Sequence, residues 1–263
     1  MRTTTSSDGT ELAYDVYGSG PALIYVTGAT CFRSFMPIVQ DAKVFAKSFT
    51  VYSYDRRGRG DSGNTLPWSV DREVDDIEAV IDAAGGSAFV YGHSSGAVLA
   101  LEASLRLPDK VQRAAVYDAS YVHDETERAE YAQLSQRIHQ LLARGDHGAA
   151  IKSFMRGIGM PRVLTALLPL VPGWRTMKAL APTLLYDIAL TAELAPADRF
   201  TAITVPIKVM VGQKSPAGLH VVAEHLRAAI PDLEFEERAG QGHLVSAKAL
   251  LPVLTEFLHR PGG

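Results

Sequence analysis

The chain has 263 residues, 47% of them hydrophobic and 21% charged, which excludes disordered and fibrous classes and suits a core that needs no metal or disulfide to form. Its 26 Lys and Arg against 29 Asp and Glu give a net charge of −3, which supplies no basic field for nucleic acid or anionic lipid. Cys31 is the single cysteine, so an internal disulfide and a multi-cysteine metal site are both excluded. Residues 1–9 lack the apolar run of a signal peptide. The longest charge-free apolar stretch, residues 163–174, contains Pro169 and Pro172 and is too short to span a bilayer. A cytoplasmic, soluble protein without a membrane partner is expected.

The first forty residues read as strands. Asp8-Gly9 marks a hairpin between residues 3–7 and 11–17. Gly18-Ser19-Gly20-Pro21 breaks the chain before the unbroken apolar run 22–26, which suits a strand covered on both faces. Residues 49–54, 88–91, 114–117 and 207–211 read in the same way, and 233–238 reads as the last strand. Helical patterns alternate with these runs. In residues 71–84, Val74, Ile77, Val80 and Ile81 share one face while Asp75, Asp76 and Glu78 take the other. Residues 95–107, 219–230 and 246–259 are further helices, with Pro252 an irregularity in the last. Strands alternating with helices predict an α/β fold on a mainly parallel sheet.

One stretch, residues 122–200, interrupts the alternation. It holds a charged helix over 123–143, a second over 146–157, a Pro-, Gly- and Leu-rich piece over 160–174 and a helix over 178–193. A structureless loop of that length is rare in a compact domain, so a helical insertion between two strands is expected. The division is then a sheet domain, residues 1–121 and 201–263, interrupted by a helical cap, residues 122–200.

Chemistry concentrates at residues 88–97, which read as strand, then Gly92-His93-Ser94-Ser95-Gly96, then helix. Small residues let strand and helix approach closely, so the central serine can take a strained conformation with its hydroxyl exposed. The helix N-terminus beyond it offers free N–H groups where an oxyanion would sit. The competing interpretation, a tight turn with a solvated serine, lacks a reason for this strand–turn–helix context. Ser94 is the nucleophile by this geometry.

At this motif the chain resembles the α/β-hydrolase family, and the resemblance covers nearly its whole length. Asp55-Arg56-Arg57-Gly58-Arg59-Gly60-Asp61-Ser62 is similar to the family's D-x-R-G-x-G-x-S turn after the fourth strand, where Asp55 and Arg57 are structural. Val26-Thr27-Gly28-Ala29 occupies the place of the family's His-Gly oxyanion segment, with Thr27 replacing the histidine. The resemblance implies an oxyanion hole built from the N–H groups of Ala29 and Ser95, and a cap inserted after the sixth strand. It also implies a base on the loop after the last strand, where Gly240-Gln241-Gly242-His243 lies. His243 is that base; His93, His123, His139, His147, His220, His225 and His259 are less apt. No metal and no cofactor are expected.

The acid departs from the commonest pattern. After residues 207–211, where the family has Asp, this chain has Ser215, which cannot stabilise an imidazolium as a carboxylate does. Asp118 ends the sixth strand at the edge where ligand-facing groups gather. Haloalkane dehalogenases and certain lactone hydrolases resemble this placement. Asp118 also preserves the order Ser94, Asp118, His243. The alternatives are that Asp118 caps the first turn of the insertion, or that Asp124 is the acid.

A serine at the turn argues against the aspartate-dependent dehalogenases and epoxide hydrolases of this fold. The expected chemistry is acyl transfer: a serine hydrolase cleaving a carboxylic ester or lactone of a small apolar or aromatic substrate. The alternatives are thioester or C–C bond hydrolysis, or ligand perception by a retained triad. Phe32 and Phe35 beside the oxyanion segment, with Met155, Leu167 and Trp174 in the cap, are the candidate substrate contacts. The same residues could instead pack the cap on the sheet. Cys31 is read as a buried small apolar residue.

Overall fold

A computed structural model describes residues 1–260. Its sheet has eight strands in the order β1-β2-β4-β3-β5-β6-β7-β8. β1 (Arg2–Thr5) and β2 (Glu11–Tyr17) form the hairpin expected at Asp8-Gly9, with Thr5 opposite Glu11. β2 also pairs antiparallel with β4 (Thr50–Tyr54). β3 (Ala22–Val26), β5 (Ala88–His93), β6 (Val111–Tyr117), β7 (Ile207–Gly212) and β8 (Glu234–Arg238) continue the sheet in parallel. The α/β class and the mainly parallel sheet expected from the alternating pattern are therefore present.

The unbroken apolar runs have a direct reason. Successive strand residues face opposite sides, and helices cover both. Ile24, Val26, Val90, Ala114 and Val116 lie in one core with α2 (Val70–Ala83), α3 (Ser95–Arg106) and α10 (Ala217–Ala229). Their chain neighbours Leu23, Tyr25, Phe89, Tyr91, Ala115 and Tyr117 lie in the other core. There they meet Ile38, Ala42 and Phe45 of α1 (Met36–Phe45) and Leu250, Leu254 and Phe257 of α11 (Ala247–Leu258).

Helix α1 is a correction, because residues up to 40 read as strands. Pro37 falls in its first turn, where the missing N–H costs nothing, and Ile38, Ala42 and Phe45 form its buried stripe. Between β6 and β7 lie α4 (Glu125–Ala143), α5 (His147–Gly157), α6 (Arg162–Leu167), α7 (Trp174–Ala179), α8 (Leu184–Thr191) and α9 (Ala197–Phe200). The single helix expected over 178–193 is broken, since α7 stops at Ala179 and α8 starts at Leu184. Pro182, in the 3₁₀ turn Ala181–Thr183, cannot donate to a continuous helical ladder. The insertion has its own core of Ile138, Ile151, Phe154, Leu168, Met177, Leu184 and Ile188. Among the described residues no helix is long and apolar enough to cross a membrane.

Candidate active site

Ser94 stands between β5 and α3 with φ 58° and ψ −126°, a left-handed conformation that costs a non-glycine residue roughly 1–3 kcal/mol. The neighbouring glycines earn their place by proximity. A Cβ on Gly96 would lie 2.2 Å from the Val26 carbonyl, and one on Gly92 2.4 Å from the Gly96 carbonyl. Only bare backbone lets α3 sit this close to β3 and β5. Gly28 packs on the serine itself, since its Cβ would stand 3.0 Å from Ser94 Cβ. The oxyanion segment and the serine therefore touch.

Among the described residues, the backbone N–H groups of Ala29 and Ser95 have no hydrogen-bond acceptor. Ala29 follows Gly28, which packs on Ser94, and Ser95 opens α3, where the helix dipole presents its positive end. Two unpaired donors beside a strained serine can hold a developing negative charge.

His243 follows β8 and turns Nδ1 to Asp118 Oδ2 at 2.9 Å. Asp118, just beyond β6, is itself at φ 50° and is 1% exposed. Its other partners are the Gly212 N–H, which donates to Oδ1 at 3.1 Å, and the Ser215 hydroxyl, which donates to Oδ2 at 2.6 Å. Ser215, the residue just after β7 that the resemblance set against an expected Asp, thus hydrogen-bonds the Asp118 carboxylate. Nothing in the sequence marked Ser215 as a donor beyond its position after β7. Asp124 is elsewhere: it caps α4, accepting from the Glu127 N–H at 2.8 Å.

The Ser94 hydroxyl is paired with Ser120 Oγ at 3.1 Å, and among the described residues it has no hydrogen bond to His243. Proton transfer requires Oγ to exchange Ser120 for the imidazole. Ser120 lies two residues beyond Asp118 and was not singled out by any sequence pattern. His93 sits beside the imidazole, with ring centres 5.0 Å apart. Its Nε2 lies 2.9 Å from the His243 carbonyl, so Nε2–H donates there. Burial, with the neighbouring His243 charge, pushes His93 down to about 4, and it is a neutral ring that holds the His243 backbone.

Asp55 accepts from the N–H groups of Arg33 at 2.6 Å and Asp61 at 2.9 Å, while Arg57 forks onto Asp76 at 2.8 and 2.6 Å. Both tie the turn after β4 together and contact nothing at Ser94. Burial pushes the Cys31 thiol up to about 11, which leaves it protonated and unreactive at neutral pH.

The candidate substrate contacts separate into two groups. Phe32 and Phe35 lie against each other with ring centres 5.4 Å apart, and a Cβ on Gly173 would reach Phe32 Cζ at 3.1 Å. Phe35 and Ala29 pack on the insertion's core, which includes Met155 and is flanked by Trp174. These four aromatic and sulfur-bearing side chains are thus brought to one side of the oxyanion segment. Trp174 also lines a shallow depression of about 730 Å³ on the insertion with His147, Lys152, Arg175 and Lys178. Leu167 falls outside the group. It is 49% exposed, like its neighbours Leu164 and Leu170 on the short α6 and the turn after it.

A comparison with known proteins bears on the fold and family. The model of the alpha/beta hydrolase family matches residues 18–251. An alpha/beta hydrolase from Sphaerobacter thermophilus is 41% identical and superposes with a TM-score of 0.88 over 98% of this chain and 100% of its own. The esterase RhEst1 from a Rhodococcus species is 18% identical with a TM-score of 0.75, covering 99% of each chain. The enol-lactonase from Burkholderia xenovorans is 19% identical with a TM-score of 0.72 over 98% of this chain and 100% of that one. The last two show likeness of fold alone. Curated relatives matched by sequence align over 39% of this chain, and the matched stretch spans 39% and 38% of the length of two of them. With the family model spanning most of the chain and a relative 41% identical along its full length, this protein belongs to the alpha/beta hydrolase family.

Proposed function

We propose that the protein is a serine hydrolase that cleaves a carboxylic ester or lactone of a small apolar or aromatic substrate through an acyl-enzyme. The observation that carries this reading is the strained Ser94 at the start of α3, together with a His243–Asp118 pair at 2.9 Å. A serine hydroxyl needs a base to attack, and an imidazole needs a carboxylate to fix its tautomer and stabilise its charge.

Ser94 Oγ attacks the substrate carbonyl as its proton passes to His243 Nε2. The carbonyl π pair moves onto oxygen, where the Ala29 and Ser95 N–H groups receive it. His243 then protonates the leaving alkoxide as the tetrahedral intermediate collapses to the acyl-serine. In the second half His243 takes a proton from water, which attacks the acyl carbon, and returns it to Ser94. Asp118 orients the imidazole throughout, its oxygens engaged by Gly212, Ser215 and His243.

The substrate class rests on the aromatic and sulfur-bearing side chains against the oxyanion segment: Phe32, Phe35, Met155 and Trp174. They offer apolar contact and no fixed charge for a phosphate or sugar ester. Residues 122–200 act as the cap over this site. The test is hydrolysis of p-nitrophenyl esters of rising acyl length, with aryl lactones and thioesters, by the native protein and by Ser94→Ala. Ester or lactone turnover that rises with apolar acyl size and falls by ~10⁴-fold or more in the variant is expected. Equal turnover by both proteins would overturn the reading.

A further inference from the structure

The turn after β4 carries two arginines, Arg56 and Arg59, at positions between the residues that hold the turn itself. Both are buried, at 0% and 1% exposure, and each directs one guanidinium nitrogen at the insertion. Their shared partner is Asp187 of α8, also 1% exposed. Asp187 Oδ1 is 2.9 Å from Arg56 Nη1, and Oδ2 is 2.7 Å from Arg59 Nη2. Arg56 is completed by a two-pronged pair with Glu73 of α2, at 2.7 and 2.6 Å. Two cations and two anions are thus enclosed together. Burial alone would raise the Asp187 carboxyl, and the Arg59 and Arg56 charges with the Ser95 hydroxyl overcome this and lower it.

Further bonds of this cluster reach the two segments that carry the Ala29 and Ser95 N–H groups. Arg59 Nη1 donates to the Gly28 carbonyl at 2.8 Å, and Arg56 Nη1 reaches the Thr27 carbonyl at 3.5 Å. The Gly28 carbonyl and the Ala29 N–H belong to one planar trans peptide, so they point in opposite directions. Anchoring that carbonyl on Arg59 fixes where the Ala29 N–H points. On the other side, the Ser95 hydroxyl donates to Asp187 Oδ1 at 2.7 Å and lies 3.2 Å from Arg56 Nη1. That holds the first residue of α3, whose N–H is the second donor.

Helix α8 is seated by neutral contacts as well. Tyr186 stacks on Trp68 with ring centres 5.1 Å apart and 7° between planes, and its hydroxyl meets Asn64 at 2.9 Å.

We propose that Asp187 is a positioning residue for the oxyanion hole: it aims the Ala29 N–H through Arg59 and the Ser95 N–H through the Ser95 hydroxyl, so that seating of α8 and formation of the hole are one event. The proposal rests on the acyl-enzyme reading of Ser94. It differs from a simple charge effect in sign. Loss of the Asp187 charge leaves the cluster net positive, which would favour an oxyanion through space, whereas loss of aim disfavours it.

The experiment compares two ketones as inhibitors of the native protein, Asp187→Asn and Ser95→Ala. An aryl trifluoromethyl ketone accepts Ser94 Oγ at its carbonyl carbon. The hydroxyl proton passes to His243, and the resulting oxyanion needs the hole. The matching methyl ketone fills the same space without appreciable addition. In Asp187→Asn we expect trifluoromethyl ketone affinity and kcat to fall together by ~10–100-fold, the loss typical of an oxyanion-hole donor out of line, with methyl ketone affinity and KM within about threefold of native. Should Asp187→Asn fail to fold, Ser95→Ala keeps the N–H and removes only the hydroxyl that Asp187 grips, and the same split is expected. Equal losses for both ketones, unchanged kcat, or a gain in trifluoromethyl ketone affinity would each overturn the positioning role. A native protein that binds both ketones alike would overturn the acyl-enzyme reading, and the role of Asp187 with it.

Discussion

The turn around Ser94 and helix α8 both shape the same few ångströms of the molecule, yet they are specified in opposite ways. At the turn, everything needed is adjacent in the chain: an apolar strand, two glycines at close approach, a strained serine and a helix N-terminus. At α8, the important side chain is Asp187, whose partners Ser95, Arg59 and Arg56 lie 92, 128 and 131 residues away. Local geometry can place a nucleophile. Aiming the backbone around it draws on the far end of the insertion.

The acid offers the strongest way to break this comparison, because it combines a local position with distant partners. Asp118→Asn is expected to lower kcat by ~10⁴-fold on an aryl ester while leaving the fold intact, since the imidazole loses its orienting charge. Adding Ser215→Asp to that variant places a carboxylate at the end of β7, where Ser215 Oγ already reaches Asp118 Oδ2, and should restore part of the loss. No recovery would mean that the two positions present a carboxylate to His243 differently.

The next effect tests the turn itself. Gly96→Ala puts a methyl 2.2 Å from the Val26 carbonyl, so it should destabilise the protein by on the order of 3 kcal/mol, read from urea unfolding. A change under 0.5 kcal/mol would show that α3 is free to move from β3, and the close-approach argument would fail. Ser215→Ala is smaller again. Losing one hydrogen bond to the carboxylate should cost ~10-fold in kcat, measured on the same aryl ester.

The smallest effects are in pH dependence, and two buried groups give opposite signs. His93 has its folded value pushed down to about 4 from an ordinary 6.5, so the unfolded chain takes the proton first. Stability falls as pH drops from about 6.5 toward 4, and His93→Gln should lose less melting temperature over that interval. Asp41 is pushed up to about 6 from 3.8 by burial, with the Tyr25 hydroxyl opposing the rise. Here the folded state takes the proton first, so its contribution is present below 3.8 and lost as pH rises through 6. Asp41→Asn should therefore be more stable than the native protein at pH 8, and this advantage should vanish near pH 4. A melting difference that stays constant with pH would contradict either assignment.

Much of the architecture was legible because its signals are short-ranged. Strand β3 was bounded to the residue by Gly-Ser-Gly-Pro before it, while β5 runs two residues past the expected 88–91, through Gly92, and α3 stops one residue short of the expected 95–107. The all-helical stretch between β6 and β7 showed itself by lacking strand patterns. Helix α1 was missed because Pro37 and the aromatic residues before it read as extended chain, and its buried stripe appears only once α11 covers it. The break between α7 and α8 turns on Pro182. At the site, the turn motif singled out Ser94, its place at a strand end singled out Asp118, and the family resemblance singled out His243, and the last two meet at 2.9 Å. Ser120, Ser215 and Asp187 could not be singled out, because a polar side chain's role is set by its partner and these partners come from other elements. Leu167 illustrates the converse: an apolar residue in an apolar segment carries no sign of which way it faces.

The central claim is that Ser94 is an activated nucleophile, and mass spectrometry after reaction with a fluorophosphonate tests it most directly. One adduct per chain is expected, mapped to Ser94 and absent from Ser94→Ala. An unmodified protein, or an adduct on Ser95, Ser120 or Cys31, would contradict it.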